Sequence, residues 1–352
     1  MPCSSRSCEA RYTSISGSDR PGDGTTPIQS QSDMPEISHR PRIAITLGDP
    51  RGIGPEVTQA ALADPQLAQG ADYVLLGPEP GSLDPPLRVR GAAEHFSTGA
   101  WAGGGERKAG EHSARAIELA ISMALSGEVD GLVTAPIAKT ALRAAGYHFP
   151  GHTEFLRDRC GVPDVTMIMA AEETALGGPL RVALLTVHVP LRSVPGLLDV
   201  ELVVRRSTIA ARALRDWWGI ARPRLALAGV NPHASEKGLF GDEEERVLAP
   251  ALERLTAAGD ADIVGIFPAD TVFRKCLEGV VDAVVVPYHD VGLAVLKTLA
   301  GDTGVNVTAG LPFPRTSPDH GTAFDIAGRG LADPSSMKAA VAQCIRFCRR
   351  GR

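Results

Sequence analysis

The chain lacks a cysteine framework, a long apolar run and a surplus of basic residues. Its six cysteines are scattered over 352 residues without a CxxC pair, which is typical of free thiols in a reducing compartment. No apolar stretch reaches the ~18–20 residues that span a bilayer. A formal net charge of -5 gives no bulk attraction to nucleic acid or to an anionic membrane. We therefore predict a cytoplasmic protein that binds neither nucleic acid nor a membrane.

The first 40 residues also lack hydrophobic periodicity and are rich in Ser, Pro, Gly, Asp and Arg. Such a composition cannot bury enough apolar surface to offset the entropy of ordering, so residues 1–40 are predicted to be a disordered tail. A leader peptide and an over-extended gene start are the alternatives. Glu9, Asp19 and Asp23 weigh against a transit peptide, because such peptides are poor in acidic residues.

From residue 42 onward, short runs of Val, Ile, Leu and Ala alternate with longer amphipathic segments. This alternation is typical of β-α units around a parallel sheet. So many strands exceed the usual width of one compact sheet, which favours two α/β lobes with a cleft between them. The predicted strands are 43–47, 73–77, 131–135, 164–170, 181–187, 224–230, 262–267, 282–287 and 305–308, and the main predicted helices are 105–126, 199–219, 242–258 and 335–349.

Three histidines, His188, His233 and His289, each follow a short apolar run. Side chains just beyond the carboxyl ends of buried parallel strands line the ligand crevice of an open α/β protein. Three imidazoles that converge there would bind a divalent metal ion and leave positions open for a substrate oxygen. Each histidine alone is more simply a strand cap, and it is the set of three that favours a metal site.

Two polar turns are candidate anion sites. The glycine-rich GDPRGIGPE (48–56) leads from a strand into a helix whose N-terminus favours an anion. A purely structural turn fits it equally well, because the pattern is neither GxGxxG nor a P-loop. In GHTEF (151–155), Thr153 can cap a helix and His152 can donate to a phosphate. A helix cap with a bystander histidine is the alternative.

Lys297, Asn306 and Arg315 form a basic set toward the C-terminus. A phosphate monoester can be recognised by such a set, because lysine provides a point cation, asparagine a neutral donor and arginine a bidentate guanidinium. Each alone is more often a solvated surface group, and their position beside strand ends is what favours binding. His320 lies in the same Gly/Pro-rich region. Asp270 follows a predicted strand and is a candidate carboxylate near the metal, with an Asx turn or helix cap as the alternative.

Several motifs taken together resemble the 4-hydroxythreonine-4-phosphate dehydrogenase family, NAD-dependent enzymes of pyridoxal phosphate biosynthesis. In chain order they are GDPRGIGPE, GHTEF, TVHVPLRSVP, NPHASEKGLFG, PADTVF, YHDVGLAVLK and GVNVTAGLPFPRTSPDHGTAFDIAGRG. The resemblance runs from about residue 42 to the C-terminus. It implies a fold similar to isocitrate and isopropylmalate dehydrogenases, with two α/β/α lobes and an active site in the cleft of a homodimer. We predict one lobe from residues 41–150 with 300–352, and a second from 151–299 that carries the metal-binding histidines.

The resemblance also assigns site residues. It implies metal ligands at His188, His233 and His289, with the metal shared between subunits. It implies substrate-binding residues at His152, Thr153, Lys297, Asn306 and Arg315. One divalent ion per site (Zn, Mg, Co or similar) and NAD or NADP would be the cofactors. The general base is open between a metal-bound hydroxide, Asp270 and Lys297.

The family reaction oxidises the 3-hydroxyl of 4-phosphooxy-L-threonine and passes hydride to NAD(P)+. The product, 2-amino-3-oxo-4-phosphooxybutanoate, loses CO2 to give 3-amino-2-oxopropyl phosphate. A divalent ion suits this chemistry because it lowers the pKa of the hydroxyl and stabilises the developing negative charge. A cationic phosphate pocket would hold C3 in place for hydride transfer.

Three departures from the family pattern leave the substrate open. Arg51 replaces a small residue, Val291 replaces the usual Gln, and NPHASEKG replaces the common NPHAGE. The first alternative is oxidation of 4-phospho-threonate or 4-phospho-erythronate in sugar-acid catabolism. Other classes are an acyltransferase on a related fold, a three-histidine metal-dependent hydrolase, and a small-molecule sensor.

Overall fold

The computed structural model describes residues 40–89 and 93–350. The predicted tail therefore lies outside the described residues, apart from Arg40. The strands are β1 (Arg42–Thr46), β2 (Asp72–Gly77), β3 (Ala93–Ser97), β4 (Gly131–Thr134), β5 (Thr166–Ala171), β6 (Leu180–Leu184), β7 (Arg224–Ala228), β8 (Asp262–Phe267), β9 (Ala283–Val286), β10 (Val305–Ala309) and β11 (Arg315–Pro318).

The helices are α1 (Gly54–Leu62), α2 (Pro65–Gly70), α3 (Glu106–Leu125), α4 (Lys139–Ala144), α5 (His152–Cys160), α6 (Val194–Leu197), α7 (Val200–Asp216), α8 (Ala249–Ala258), α9 (Val272–Leu277), α10 (His289–Ala300) and α11 (Ser335–Arg350). Single 3-10 turns lie at Pro80–Ser82, Leu191–Ser193 and Gly301–Thr303, and a π-helical turn at Glu244–Leu248 leads into α8. Pro232–Glu236 is an irregular turn with left-handed backbone from His233 onward. Among the described helices, none combines the length and the apolar character needed to cross a membrane.

The strands form one continuous mixed sheet with the order β3-β2-β1-β4-β11-β10-β5-β6-β9-β7-β8. The strand pairs toward both edges are parallel, whereas β10 runs antiparallel to β11 and β5, and β5 runs antiparallel to β6. The α/β class is therefore confirmed, but a wholly parallel sheet is wrong at the centre. There, β10 connects to β11 through a short turn instead of a crossover helix. The predicted lobes share this sheet, and their boundaries at 150/151 and 299/300 stay a prediction.

Helices cover both faces of the sheet. In β1, Ile43 and Ile45 pack in one apolar layer with Ile345 of α11, while Ala44 packs in the opposite layer with Ile117 of α3. The three β1 side chains are fully buried. Strands that are apolar on both faces are typical of sheets sandwiched between helices. This packing leaves the ends of the strands, where the loops lie, as the place for polar chemistry.

The glycine-rich turn after β1 lies against the loop that follows β4. Gly48 has φ +75°, and a Cβ built there would lie 2.2 Å from the carbonyl oxygen of Pro136. The amide of Asp49 donates to the same oxygen at 2.9 Å. Because only glycine fits this close approach, the turn fixes the ends of β1 and β4 side by side.

Replacing Gly48 by alanine is expected to lower the free energy of unfolding by about 3 kcal/mol, from left-handed strain together with the overlap with Pro136. Gly127→Ala is the matched control, because Gly127 has φ +78° with no atom within 4 Å of an added Cβ. It should cost only about 1 kcal/mol. Urea denaturation measures the free energy of unfolding of both variants. Equal losses would show that the close approach of Gly48 to Pro136 does not contribute to stability.

Candidate functional site

A cavity of about 330 Å³, here called the Arg315 cavity, opens beside β4, β11 and the start of α5. Its lining is mostly polar and brings together residues far apart in the chain. They are Thr134, Pro136, Ile137, Lys139, Gly151, His152, Thr153, Glu154, Met167, His188, Asn306, Arg315, Ser317, Pro318, Asp319, His320 and Gly321. Four of the five predicted substrate-binding residues and one of the three predicted metal ligands thus share one cavity.

Arg315 is 2% exposed at the wall of this cavity. Its guanidinium donates to the Thr134 hydroxyl at 2.6 and 3.2 Å and to the Thr308 hydroxyl at 2.8 Å. No carboxylate among the described residues lies within 4.0 Å of it. Burial lowers the pKa of Arg315 to about 9, so the side chain is still a cation at neutral pH. The hydrogen-bond partners of Arg315 are neutral hydroxyls, and Glu154 of the same cavity raises its pKa only from beyond ion-pair distance. A bound anion would supply a direct counter-charge.

The N-terminus of α5 borders the same cavity. The helix begins after Gly151, without a side chain capping its first amides. Thr153 is thus the second residue of the helix and not its cap, so the predicted capping role is wrong. Thr153 instead lines the cavity. Uncapped amides and the helix dipole both favour an anion.

Three unsatisfied polar atoms of the lining also favour a bound ligand. The Nε2 atoms of His152 and His320 and the Oδ1 atom of Asn306 are buried and have no hydrogen-bond partner among the described residues. Burial, and then the nearby Arg315, hold the pKa of His152 well below its usual value, so the ring is neutral. Buried polar atoms are rarely left unpaired in native proteins, so these atoms are available to a ligand or to ordered water.

Lys297 lies outside this cavity. Its ammonium pairs with Asp319, with Nζ and Oδ2 3.1 Å apart, and it lines a neighbouring cavity of about 360 Å³, the Lys297 cavity. The two cavities share Asp319 and His320 as a common wall. The Lys297 cavity is lined by Ile53, Lys297, Gly301, Asp302, Gly304, Asp319, His320, Ala323, Ile326, Ala332, Asp333 and Ser336. Contact of Lys297 with the substrate stays a prediction.

Two of the three predicted metal ligands meet within one chain. The rings of His188 and His289 have centroids 5.5 Å apart. The Nδ1 atom of His289 hydrogen-bonds the Asp290 carboxylate at 2.7 Å, which leaves its Nε2 atom for another partner. Burial, followed by the proximity of Lys139 and of His289, lowers the pKa of His188 and keeps its ring neutral, as metal ligation requires.

His233 lies in a different environment, with its ring centroid 6.3 Å from that of Phe240. Across residues 40–89 and 93–350, no group of three His, Cys, Asp or Glu side chains is arranged to hold a metal ion. His188 and His289 come together within one chain, and the metal-binding role of all three histidines stays a prediction. Asp270 is exposed just after β8 and does not line the Arg315 cavity. Since β7 and β8 are parallel neighbours, Asp270 and His233 follow adjacent strand ends.

The departures at Arg51 and Val291 do not enter the Arg315 cavity. Arg51 forms a two-point ion pair with the buried Asp49, with distances of 3.0 and 2.7 Å, and stacks 5.0 Å from the Phe324 ring centroid. Asp49 thus binds Arg51 and does not cap α1. Val291 is half-buried against the apolar cluster around α10.

Sequence reasoning missed three charged residues of the Arg315 cavity: Lys139, Glu154 and Asp319. The signal was present for Lys139, because TAPIAK follows β4 just as the predicted metal ligands follow their strands. Asp319 likewise comes directly after β11, a strand that the sequence did not reveal.

Comparison with known proteins agrees with this geometry. The family profile "pyridoxal phosphate biosynthetic protein PdxA" matches residues 84–344. The 4-hydroxythreonine-4-phosphate dehydrogenase of Desulfosudis oleivorans is 42% identical over 333 residues, covering 88% of this chain and 96% of that protein. The protein of the same name from Erythrobacter litoralis is 44% identical over 318 residues, covering 84% and 93%.

Solved structures give the same answer. The crystal structure of 4-hydroxythreonine-4-phosphate dehydrogenase from Klebsiella pneumoniae matches with a TM-score of 0.77 and 38% identity. The match covers 88% of this chain and 99% of that chain. The chain therefore belongs to the 4-hydroxythreonine-4-phosphate dehydrogenase (PdxA) family of oxidoreductases, with its isocitrate/isopropylmalate dehydrogenase-like fold.

Proposed function

We propose that the chain oxidises 4-phosphooxy-L-threonine to 2-amino-3-oxo-4-phosphooxybutanoate, which loses CO2 to give 3-amino-2-oxopropyl phosphate, in pyridoxine 5'-phosphate biosynthesis. The observation that carries this proposal is the buried Arg315, which has hydroxyl partners and no carboxylate partner. A phosphate monoester would provide the missing negative charge and accept from the guanidinium, from the α5 amides and from Thr153.

We propose that one divalent ion is held by His188 and His289 of one protomer and by His233 of the partner subunit. The donor set fits, because His188 is neutral and Asp290 orients His289. Imidazole nitrogens favour zinc or cobalt over magnesium. When bound, the ion would polarise the substrate hydroxyl as a Lewis acid.

The backbone around His233 supports a role at a contact between protomers. Five consecutive residues from His233 to Lys237 have positive φ values between 44° and 66°. The turn is held because Glu244 accepts from the amides of Val230 and Asn231 at 2.8 and 2.7 Å. A run of left-handed residues is costly, and such conformations concentrate at functional sites. The turn is followed by Leu239 and Phe240, which are 71% and 46% exposed. An exposed apolar pair suits a homodimer contact.

The Lys297 cavity is the proposed site for the nicotinamide cofactor, either NAD or NADP. It borders the Arg315 cavity at Asp319 and His320, so a cofactor there would reach the substrate carbon without crossing the protein. Ile53 and Ile326 give it an apolar wall for a planar ring. The cofactor would supply the oxidation by accepting hydride.

Within this arrangement the chain's own residues bind and orient the substrate, and one of them accepts a proton from it. Arg315 and the α5 amides fix the phosphate, and Asn306 Oδ1 accepts from a donor on the substrate. These contacts hold C3 in place for the transfer. Of the three predicted bases, two are side chains, and the geometry favours Lys297 over Asp270 because its partner Asp319 borders both cavities. A metal-bound hydroxide stays the alternative. A cytoplasmic location stays a prediction.

Parallel assays with 4-phosphooxy-L-threonine, 4-phospho-threonate and 4-phospho-erythronate, each with NAD+ and NADP+, test the proposal. We expect metal-dependent appearance of NADH or NADPH absorbance, with the amino substrate preferred in kcat/KM. Preference for the hydroxy acid would assign the sugar-acid reaction instead. Release of phosphate with flat absorbance would assign a hydrolase and overturn the proposal.

A further inference from the structure

The side chain of Lys139 extends over the first turn of α5. Lys139 is the first residue of α4, directly after the loop that follows β4, and it lines the Arg315 cavity. A Cβ built on Gly151, the residue before α5, would lie 3.8 Å from Lys139 Cε and 3.5 Å from Glu154 Oε2. The lysine thus reaches the point where the uncapped amides of α5 begin.

Three positive elements meet at this place: the ammonium of Lys139, the guanidinium of Arg315 and the N-terminus of α5. Neither side chain has a carboxylate within 4.0 Å among the described residues. A cation is unfavourable beside a helix N-terminus, where the dipole favours anions. At the start of α5, the Glu154 carboxylate lies close to Lys139. The two side chains do not form an ion pair, because their charged atoms are more than 4.0 Å apart. Glu154 lines the same cavity and offsets part of this positive charge without forming an ion pair. A phosphate monoester would supply the negative charge that Lys139, Arg315 and the α5 amides still lack.

The other candidate lysine is already paired. Lys297 is bound to Asp319 at 3.1 Å and lines the neighbouring cavity. Of the residues that line the Arg315 cavity, Lys139 is the one that carries an ammonium group. Lys139 of α4, and not Lys297 of α10, is therefore the candidate for the second cation of the anion site.

We propose that Lys139 binds the phosphate of the substrate together with Arg315 and the α5 amides, and so helps to select phosphorylated substrates. The proposal rests on the proposed function for the identity of the phosphate ester. Arg315 provides a buried, fixed fork, and Lys139 provides a point charge on a long, exposed arm. An exposed lysine can close over the anion after it has entered.

Lys139→Ala is expected to raise the KM for 4-phosphooxy-L-threonine about 10- to 100-fold, the value of one charge-assisted hydrogen bond, with a much smaller change in kcat. Lys139→Arg, which keeps the positive charge, should recover most of this loss. Lys338→Ala is the matched control. Lys338 of α11 pairs with Asp64 at 3.5 Å and lines neither cavity, so its loss should leave KM unchanged.

A second readout does not depend on turnover. Inorganic phosphate should raise the melting temperature of the wild-type protein and of Lys338→Ala, and should raise that of Lys139→Ala much less. Unchanged KM and an unchanged phosphate shift in Lys139→Ala would overturn the proposal. If the wild type shows no turnover of 4-phosphooxy-L-threonine but the phosphate shift depends on Lys139, the proposed function fails while the role of Lys139 in anion binding stands.

Discussion

Replacing Arg315 by methionine is expected to lower kcat/KM by about 100-fold or more, mostly through KM, while the ligand-free fold remains at least as stable as the wild type. The loss follows from removing a buried partner of the substrate's charge, which typically costs ~2–5 kcal/mol. The retained stability follows from the lack of a carboxylate at ion-pair distance from Arg315. Methionine fills a similar volume, and folding of the variant does not have to bury an unpaired cation. Only the Thr134 and Thr308 hydroxyls lose their hydrogen-bond partner.

Arg181→Met is the matched control for this prediction. Arg181 is also buried, at 8% exposure, but it pairs with Glu172 at 2.9 Å and stacks on Trp218. Its removal should cost about 2 kcal/mol or more in stability and leave KM unchanged. Steady-state kinetics and urea denaturation of the two variants separate the cases. A large loss of stability in Arg315→Met with an unchanged KM would show that Arg315 is a structural residue.

His233→Ala is expected to lower kcat by about 1000-fold or more, because a divalent ion contributes several kcal/mol to stabilising the developing charge. The fold should be retained, since His233 is exposed and outside the apolar core. His188→Ala should have a similar effect. Metal content measured alongside activity checks the cause, and a fully active His233→Ala enzyme in metal-stripped buffer would contradict the metal assignment.

Mixing these two inactive variants tests whether the ion is shared. If His233 of the partner subunit completes each site, a mixed dimer of His188→Ala and His233→Ala contains one intact site and one doubly defective site. After unfolding and refolding together, activity should return to about a quarter of the wild-type level, the fraction of intact sites in a random mixture. If all three ligands came from the same chain, every site would lack a ligand and no activity would return.

The sequence predicts most of the fold because buried strands carry an unambiguous apolar signal. All nine predicted strands are present, within a few residues of their predicted ends. The missed β3, AEHFS, is an exposed edge strand with little apolar content. The missed β11, RTSP, is polar and ends in proline, and it is buried only because its neighbours cover it. The antiparallel centre could not be predicted, since strand direction depends on pairing partners far apart in the chain.

The sequence predicts only part of the site, because the order of the strands decides which loops come together. The strand-end rule and the family motifs indicated His152, Thr153, Asn306 and Arg315, and the fold brings these four together. Which edge of an 11-stranded sheet each loop reaches is a matter of topology, however. His233 and Asp270 follow β7 and β8 at the far edge, so they cannot be placed in the Arg315 cavity from motif order alone. The lack of a carboxylate beside Arg315 likewise appears only in three dimensions.

The most direct test of the account is a crystal structure of the dimer with 4-phosphooxy-L-threonine and a divalent ion bound. We expect the phosphate within hydrogen-bond distance of the Arg315 guanidinium and the amides of α5, and the ion on His188, His289 and His233 of the partner subunit. A phosphate bound elsewhere, with the Arg315 guanidinium still contacting only Thr134 and Thr308, would contradict the central claim.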